Sequence, residues 1–378
     1  MRIGLVAGEA SGDQLGAGLI AAVRKRYPDA VFEGVAGPAM IDAGCDAWAP
    51  SEDLAVMGLV EPLRHVPRLL KLRSSLAKRW QASPPDVFVG IDAPDFNLAL
   101  ETRLRAAGIP TVHYVSPTIW AWRPKRIRKI ARAADKVLCI LPFEPALYRD
   151  AGVEAEFVGH PKADSLSPPE DTAALKRALG LADDRPMIAL LPGSRRGEVS
   201  RLIDIILGSA KRLADDTPNL QFVIPAATAA IAAMIRDSLA DHGMVSRVSV
   251  VDGRGVDVMA AADLVILASG TAVLEAALLG KPCIAIYKLA PLSAAIVRAF
   301  DLLKLDYVTL PNNLTEQALI PEFLQEAATP DAVATEAAAL LADAPRRAEI
   351  RDRFVKLRQA MALDADERAA DAVVRMIA

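Results

Sequence analysis

The stretch Pro85-Asp86-Val87-Phe88-Val89-Gly90-Ile91-Asp92-Ala93-Pro94-Asp95-Phe96-Asn97 predicts a buried strand that turns directly into a helix. The run 87–91 is apolar and rich in β-branched and aromatic residues, which is typical of a buried strand. Pro94 cannot lie in the middle of a strand, because it lacks the N–H that a ladder hydrogen bond needs. We therefore expect Asp92 at the carboxyl end of a strand, where ligands bind in open parallel sheets.

Short β-rich runs alternate with helical segments along the chain, a pattern that predicts parallel sheets covered by helices. In the first half, the other predicted strands are 3–7, 31–35, 111–115, 136–140 and 156–158. After a linker at 161–169, a second series comprises 187–191, 220–224, 248–250, 264–267 and 283–286. The predicted fold class is α/β, with two Rossmann-like parallel-sheet domains, 1–163 and 170–344, facing each other across a cleft. Residues 345–378 are expected to form a helical tail that packs back on the first domain or on a partner chain.

Composition indicates an ordered protein and gives no reason to expect a nucleic-acid partner. Charged residues make up 24% of the 378 residues and hydrophobic residues 52%, which argues against disorder. The net charge of −3 offers no basic surface for nucleic acid. Cys45, Cys139 and Cys283 are far apart, so we expect reduced core thiols in a cytoplasmic protein, with no disulfide and no zinc site. The chain opens directly on a strand, so we expect neither a signal peptide nor a membrane span.

Two loops in the second half predict an anion site. Strand 187–191 runs into Pro192-Gly193-Ser194-Arg195-Arg196-Gly197-Glu198, and strand 264–267 runs into Ala268-Ser269-Gly270-Thr271-Ala272-Val273-Leu274-Glu275. Each places glycine and a hydroxyl residue at the start of a helix, where free amides and the helix dipole favour an anion. Arg195 adds a planar, permanently charged donor suited to phosphate. Ordinary N-capping by Ser194 and Ser269 is the alternative, but two such loops in one domain favour a diphosphate.

Two further features of the loops stay open at this point. Glu275 lies one turn into its helix, where its carboxylate either accepts the hydroxyls of a ribose or complements the helix dipole. In the first half, the loop Gly8-Glu9-Ala10-Ser11-Gly12-Asp13 follows strand 3–7 and matches neither the dinucleotide-binding glycine pattern nor the phosphate loop with its lysine. It either lets backbone amides approach a ligand or forms a tight βα turn.

Nine motifs in this order resemble the signatures of the lipid-A-disaccharide synthase family, and they span the chain from Gly8 to about Gln325. They are Glu9-Ala10-Ser11-Gly12-Asp13, Gly90-Ile91-Asp92-Ala93-Pro94-Asp95-Phe96-Asn97, His113-Tyr114-Val115-Ser116-Pro117, Trp120-Ala121-Trp122-Arg123, Leu141-Pro142-Phe143-Glu144, Gly159-His160-Pro161, Leu191-Pro192-Gly193-Ser194-Arg195, Ala268-Ser269-Gly270-Thr271 and Leu310-Pro311-Asn312. Each motif alone is weak, whereas nine in register are highly specific. Asn313 departs from the family pattern, which usually has an aliphatic residue there, and this puts the local shape beside the uridine in doubt.

The resemblance implies a GT-B glycosyltransferase that joins UDP-2,3-diacylglucosamine to 2,3-diacylglucosamine 1-phosphate. The products are the β-1,6-linked disaccharide 1-phosphate and UDP, in the lipid A and lipopolysaccharide biosynthesis of Gram-negative bacteria. The nucleotide is then expected mainly in the second domain, on Gly193, Ser194, Arg195, Ser269, Gly270, Thr271, Ala272, Glu275 and Asn312. The acceptor is expected mainly in the first domain, on Glu9, Ser11, Gly12, Asp13, Asp95 and Asn97. No metal or other cofactor is predicted.

An α-linked donor that gives a β-linked product implies inversion in a single in-line displacement, which needs a base for the attacking hydroxyl. Asp92 is the candidate base and His113 the second choice. Two alternatives remain for Asp92, orientation of the acceptor and N-capping of the next helix. In the capping alternative, Pro94 lies in the first turn and Asp95 supplies the carboxylate of a capping box. Arg195 and the two helix starts are expected to stabilise the charge of the departing diphosphate.

Two basic stretches without acids are candidates for contact with a membrane or with the acceptor phosphate. Residues 63–80 combine Arg64, Arg68 and Lys71 with apolar positions at helical spacing, and residues 120–132 place Trp120, Trp122 and Arg123 before a basic helix. The alternative for the first stretch is a helix with a solvated basic face and a core face, and for the second a surface helix anchored by its tryptophans. We expect a cytoplasmic protein held peripherally at the inner membrane, and the sequence leaves a homodimer open.

Three rival functions remain at this stage. Another UDP-sugar enzyme of the same architecture, such as a UDP-N-acetylglucosamine 2-epimerase or a lipid-linked muropeptide transferase, shares the anion loops, although an epimerase needs no basic, tryptophan-containing lipid surface. A non-catalytic UDP-sugar-binding protein predicts binding without release of UDP. A nucleotide-dependent dehydrogenase is disfavoured because the dinucleotide-binding glycine pattern is absent from the sequence.

Overall fold

A computed structural model describes residues 1–54, 61–120, 124–289 and 306–377. The chain divides into two compact units. The first comprises Met1–Asp164 together with the C-terminal segment that begins at Met361, and the second comprises Ser165–Ala360. The boundary at Asp164 and Ser165 falls inside the stretch that the sequence predicted as a linker.

The described part of the first unit contains a seven-stranded parallel sheet. Its strands are β1 (Arg2–Ala7), β2 (Val31–Ala36), β3 (Cys45–Pro50), β4 (Val87–Ile91), β5 (Thr111–Tyr114), β6 (Lys136–Cys139) and β7 (Glu154–Phe157). They lie in the order β3-β2-β1-β4-β5-β6-β7. The chain therefore leaves β1 toward one edge and returns to β4 on the other side, so the ends of β1 and β4 form a topological switch point.

The helices of the first unit follow its strands. They are α1 (Ala10–Arg26), α2 (Pro38–Asp42), α3 (Glu61–Ala82), α4 (Pro94–Ala106), α5 (Ile127–Ala133) and α6 (Glu144–Arg149), with α7 (Pro161–Ser165) at the boundary. Trp80 on α3 is fully buried and packs edge-on against Phe88 of β4, at 5.0 Å between ring centroids. The basic helix expected near residues 63–80 therefore has a genuine core face.

The second unit repeats the plan with a six-stranded parallel sheet in its described residues. Its strands are β8 (Met187–Leu191), β9 (Gln221–Ala226), β10 (Val248–Asp252), β11 (Leu264–Ala268), β12 (Cys283–Tyr287) and β13 (Glu322–Leu324). Their order is β10-β9-β8-β11-β12-β13, which places a second switch point between β8 and β11. The helices are α8 (Thr172–Ala178), α9 (Arg196–Asp216), α10 (Ala229–Asp241), α11 (Gly255–Ala261), α12 (Thr271–Leu278), α13 (Leu310–Thr315), α14 (Pro330–Ala342) and α15 (Ala344–Met361).

The last helix, α16 (Ala365–Val374), packs on α1 in the first unit. Its alanine-rich face is buried, and Glu367 forms ion pairs with Lys25 at 2.6 Å and Arg26 at 2.8 Å on α1. Asp164 accepts hydrogen bonds from the N–H groups of Asp364 at 3.0 Å and Ala365 at 2.8 Å. The segment after residue 344 is thus helical as predicted, but its two helices belong to different units.

Two properties of the described residues bear on the wider expectations. None of their helices combines the length and apolar composition needed to cross a membrane. Cys45, Cys139 and Cys283 are free and buried, as expected from their spacing. Burial raises the pKa of the Cys45 thiol to about 12, so this group remains protonated and unreactive at neutral pH.

Candidate active site

The first unit holds a cavity of about 510 Å³ at the carboxyl ends of β1 and β4, its topological switch point. Two loops contribute its polar edge, and helix α3 with Phe96 contributes an apolar wall. The lining residues are Gly8, Glu9, Leu54, Val66, Leu69, Leu70, Arg73, Asp92, Ala93, Pro94, Asp95 and Phe96. A carboxylate beside a wall of leucine, valine and phenylalanine suits a ligand that carries both a hydroxyl and hydrocarbon.

Asp92 lies in this cavity, at the turn between β4 and α4. It adopts a left-handed backbone conformation, with φ of 50°, and Ala93 follows with φ of 42°. The N-cap of α4 is Ala93, and no side chain caps this helix, so the N-cap hypothesis for Asp92 is wrong. Within the described part of the chain, the Asp92 carboxylate has no hydrogen-bond or ion-pair partner. Two successive non-glycine residues in this region of φ cost roughly 1–3 kcal/mol each, a strain that clusters at functional sites.

Asn97 and Gly8 hold the strained loop in place. The Asn97 Nδ2 donates to the Asp92 carbonyl at 2.8 Å and to the carbonyls of Ile91 and Val6 at 3.3 Å. Asn97 is fully buried, so it positions the Asp92 backbone and does not line the cavity. A Cβ on Gly8 would lie 2.6 Å from the Ala93 Cβ, so only glycine permits this approach of the β1 loop.

The Glu9–Asp13 loop divides into a cavity edge and a structural anchor. Glu9 is the N-cap residue of α1, is exposed and lines the cavity, and Ser11 is exposed on the first turn of the helix. Gly12 is buried against Ile91. Both carboxylate oxygens of Asp13 are occupied, since they accept from the N–H groups of Gly37, Ala39 and Met40 at 2.9–3.0 Å. Asp13 therefore fixes the start of α2, and the expectation of an acceptor contact is corrected.

His113 is corrected as a candidate base. Its side chain is fully buried on β5, and its Nδ1 lies 2.7 Å from the Glu101 Oε1 on α4, which is also fully buried. A base must reach the proton that it abstracts, and His113 does not line the cavity. Burial raises the pKa of Glu101, and the neighbouring His113 opposes that shift. The pair belongs to the core between α4 and the sheet.

Asp95 lies at the second position of α4 and forms an ion pair with Arg126. Its side chain is 77% exposed, and it lines the outer edge of the cavity. Because Ala93 is the N-cap and Asp95 does not reach back to an N-cap amide, the capping-box hypothesis is also wrong.

The second unit holds a cavity of about 530 Å³ at the carboxyl ends of β8 and β11, again at the switch point. The two loops that the sequence singled out form its sides, and the loops after β9 and β10 complete it. Its lining includes Leu191, Gly193, Ser194, Arg195, Glu198, Pro225, Ala227, Gly253, Gly255, Ala268, Ser269, Gly270, Thr271, Ala272 and Glu275.

The serines of these loops do not cap their helices. The N-cap of α9 is Arg195 and that of α12 is Gly270, and neither helix has a side-chain cap. The capping alternative for Ser194 and Ser269 is therefore wrong. The Ser194 N–H donates to the Glu198 Oε2 at 3.1 Å, and a Cβ on Gly193 would lie 2.2 Å from that oxygen. The Glu198 carboxylate thus accepts a hydrogen bond from an amide at the start of α9, where an anionic ligand would bind.

Arg195 is exposed at the edge of this cavity and, among the described residues, has no ion-pair partner. Asn312 lies elsewhere. It is fully buried, its Nδ2 donates to the Ile320 carbonyl and the Glu322 carboxylate, and its Oδ1 accepts from the Ile320 N–H. With its amide saturated it cannot bind a nucleotide in this arrangement, which corrects that expectation.

A family model described as LpxB, lipid-A-disaccharide synthetase, matches residues 3–376. The chain belongs to the lipid-A-disaccharide synthase family. The lipid-A-disaccharide synthase of Alkalilimnicola ehrlichii is 49% identical over 376 residues, covering 99% of this chain and 98% of its relative. That of Pseudomonas putida is 47% identical over 375 residues, with the same coverage of both chains. Members of this family are glycosyltransferases, so the expected enzyme class is confirmed.

Solved structures share the fold at low sequence identity. A UDP-GlcNAc 2-epimerase from Neisseria meningitidis, bound to UDP-GlcNAc, has a TM-score of 0.63 at 15% identity and covers 99% of both chains. The glycosyltransferase of kitacinnamycin has a TM-score of 0.62 at 13% identity, covering 99% of this chain and 98% of its own. These likenesses confirm the predicted α/β fold class with two parallel sheets, and they carry no information about substrate.

The basic stretches of this lipid-A-disaccharide synthase family member are only partly described. Arg68 is exposed and forms an ion pair with Asp53 at 2.9 Å, and Lys71 is exposed one turn further along α3. Trp120 is half-buried and packs edge-on against Phe143. The side chain of Arg64 lies outside the described residues, and so do Trp122 and Arg123.

Two charged residues of the cavities were missed by sequence reasoning. Arg73 was counted only as part of a basic face, and Glu198 only as the end of a loop. Arg73 is followed by apolar residues at helical spacing, so its place on the inner side of α3 could have been read from the period. Glu198 stands three residues after the N-cap, the position from which a carboxylate reaches back to the first amides.

Proposed function

We propose that the protein transfers 2,3-diacylglucosamine from UDP to the 6-hydroxyl of 2,3-diacylglucosamine 1-phosphate. The products are the β-1,6-linked disaccharide 1-phosphate and UDP, and the reaction is a step of lipid A biosynthesis. The observation that carries this proposal is the Asp92 carboxylate, which no described residue pairs with, in a cavity walled by Leu54, Leu69 and Phe96. Full-length membership of the family supports the choice of substrates over those of an epimerase.

Asp92 acts as the general base in this proposal. The attacking hydroxyl must lose a proton as it bonds to the anomeric carbon, and a positioned base typically accelerates such a step ~10²–10⁴-fold. The strained backbone, the Asn97 hydrogen bonds and the unoccupied oxygens support this role, because together they fix a carboxylate without consuming it. With the capping alternative removed, orientation of the acceptor by Asp92 is the competing role.

The second-unit cavity takes the UDP moiety. A diphosphate suits the backbone amides and positive dipole ends at the starts of α9 and α12, and Arg195 supplies a planar cation that stabilises the negative charge of the departing UDP. Glu275, half-buried in the same cavity, is placed to accept ribose hydroxyls. Binding of the diphosphate at the Ser194 amide requires the Glu198 carboxylate to move aside.

The apolar wall of the first-unit cavity takes acyl chains. Each buried CH₂ contributes ~0.8 kcal/mol, so even a part of one chain gives substantial affinity. Val66 and Leu70 on α3 are 40% and 47% exposed, next to the basic Arg68 and Lys71. An apolar stripe flanked by cations suits the surface of an anionic bilayer, so we propose that α3 faces the inner membrane and that the protein associates with it peripherally.

The decisive experiment measures UDP release from the diacylated donor with and without acceptor, in excess chelator. We expect release that depends on acceptor and is insensitive to chelator. Asp92→Asn should lower turnover by ~10²–10⁴-fold while leaving UDP affinity and thermal stability unchanged, and Asp29→Asn, which removes an exposed charge in a turn, is the matched control. Equal release without acceptor would refute transfer, and full transfer by Asp92→Asn would refute the base.

A further inference from the structure

Arg73 on α3 has a half-buried guanidinium group that no anionic residue of the described chain pairs with. Its Nε is buried without a hydrogen-bond partner, and within the described part of the chain no carboxylate pairs with it. The side chain lies over the ring of Phe96, with 5.9 Å from Cζ to the ring centroid. Burial and the neighbouring Arg103 lower the pKa of Arg73, which means that its surroundings disfavour the cation.

If Arg73 had only a structural role, we would expect an anion to pair with its half-buried guanidinium group. Burying a charge is costly unless it is paired, and ion pairs normally supply that compensation. The planar, five-donor guanidinium matches phosphate in a bidentate geometry that lysine cannot provide. Among the described residues none supplies the missing anion, whereas a bound phosphate would.

Arg73 lines the same 510 Å³ cavity as Asp92. The other charged residues of that lining, Glu9, Asp92 and Asp95, are all acidic, so Arg73 is the single cation among the described residues that line it. A phosphate that enters this cavity is repelled by the acidic groups and has one place at which it is stabilised.

We propose that Arg73 binds the 1-phosphate of the acceptor sugar and thereby turns its 6-hydroxyl toward Asp92. This inference rests on the function proposed above. In a pyranose, C1 and C5 flank the ring oxygen, and C5 carries the 6-hydroxymethyl group. The phosphate and the attacking hydroxyl therefore lie along one edge of the sugar. A cation and a base that line one cavity can hold both groups at once.

The test compares two acceptors, 2,3-diacylglucosamine with and without its 1-phosphate, presented in non-ionic detergent micelles. For the unmodified protein we expect kcat/KM to fall roughly 10- to 100-fold when the phosphate is absent, as for the loss of a hydrogen-bonded charge pair. In Arg73→Gln, kcat/KM should fall by the same factor with the phosphorylated acceptor and change little with the other. This variant should therefore no longer prefer the phosphorylated acceptor. Arg73→Lys should retain part of the preference for the phosphorylated acceptor, because lysine keeps the positive charge but lacks the planar set of guanidinium donors.

Lys78→Gln is the matched control, since it removes an exposed cation from the same helix, outside the cavity. Arg73→Gln with an undiminished preference for the phosphate would overturn the inference. Equal losses with both acceptors would also overturn it, because they would indicate a structural role. The same assay on anionic vesicles separates lipid headgroups from the acceptor phosphate. A loss of kcat/KM in Arg73→Gln on vesicles but not in micelles would assign Arg73 to lipid headgroups and overturn the inference. If the unmodified protein released no UDP with either acceptor, the proposed function itself would fail.

Discussion

The Asp92 carboxylate has no partner among the described residues because Ala93, and not Asp92, is the N-cap of α4. If Asp92 were the N-cap, its carboxylate oxygens would accept hydrogen bonds from amides of the first turn. Such bonds stabilise the anion, lower the pKa and make the carboxylate a weaker base. Here Ala93 takes the N-cap position in a left-handed conformation, and Asn97 fixes the backbone through the Asp92 carbonyl. The side chain and the backbone of Asp92 thus serve separate purposes.

Arg195 offers a sharp test at the same scale, because its neighbour Arg196 is a natural control. Both are exposed at the start of α9, but only Arg195 lines the cavity. Arg195→Ala should lower turnover at saturating substrate by roughly 10²-fold or more, by analogy with the loss of one preorganised donor. Arg196→Ala should change it little. Near-normal turnover of Arg195→Ala in steady-state assays of UDP release would rule out the role in stabilising the leaving group.

Glu144 predicts a pH dependence of stability. It is 1% exposed at the start of α6, and burial raises its pKa to about 7, although the Leu141 N–H donates to its carboxylate at 3.1 Å. The folded protein therefore binds this proton more tightly than the unfolded chain. The resulting stabilisation is complete below pH 4.5, the ordinary value, and is lost as pH rises through about 7.

For a pKa shift of this size, the contribution of Glu144 to the free energy of unfolding should fall by roughly 3 kcal/mol between low and high pH. Glutamine has no ionisable proton, so the free energy of unfolding of Glu144→Gln should lack this fall with pH. Urea unfolding of both proteins at pH 4 and pH 8 isolates the effect, because every other titrating group is shared. Parallel pH profiles for the two proteins would contradict the shift.

Residue identities alone could not reveal which candidates are exposed. His113 and Asn312 stand in motifs as polar as the one around Asp92, yet both are fully buried, with their hydrogen bonds directed to Glu101 and to the Ile320 backbone. A strand-end position predicts that a side chain is near the edge of the sheet. Which face it takes depends on the register of neighbouring strands and on the helix packed above, and neither is encoded in a short motif.

At the level of elements, apolar runs were predictable, whereas two edge strands that contain acidic residues were not. The bounds of β4 and β8 agree with the sequence prediction to the residue, because both are buried runs of five apolar or small residues. Strands β3 and β13 were missed. Both lie at the edge of their sheets, and β3 contains Asp46 and ends in Pro50, so neither shows the apolar run of a central strand.

Helix α16 depends on a cap that comes from far away in sequence. Asp164 accepts from two amides at its start, whereas Asp171 accepts from the Ala174 N–H of its own helix, α8. Loss of such a cap typically costs about 1 kcal/mol. Asp164→Ala should therefore speed hydrogen exchange of the amides in α16, and Asp171→Ala should speed only those in α8.

Hydrogen exchange resolved by mass spectrometry measures both helices in one experiment. The two variants control for each other, since each removes one exposed aspartate with a capping role. Unchanged protection of α16 in Asp164→Ala would show that packing on α1 and the ion pairs of Glu367 suffice to hold the helix.

For the whole molecule, alternating strands and helices predicted two sheets, and the two switch points then located the cavities. What the sequence could not predict is the separation of α15 from α16. Both are charged helices with a short connection, and the contacts that assign α16 to the first unit, its buried alanines against α1 and the ion pairs of Glu367, join residues far apart in sequence. The apolar wall of the Asp92 cavity also escaped prediction, because Leu54, Leu69 and Phe96 are brought together from three separate elements.

The proposed membrane surface is testable on the intact protein. Replacing Arg64, Arg68 and Lys71 together by Gln should reduce sedimentation with anionic vesicles, because each cation near an anionic surface contributes about 1 kcal/mol. A triple replacement of Lys211, Arg353 and Lys356, which are exposed on the second unit, removes the same charge and should sediment as the unmodified protein does. Since Arg68 already pairs with Asp53, its share should be smaller than that of Lys71. Equal sedimentation of the two triple variants would reject α3 as the membrane contact, whereas loss in the first alone, restored on lowering the salt concentration, would assign it an electrostatic part.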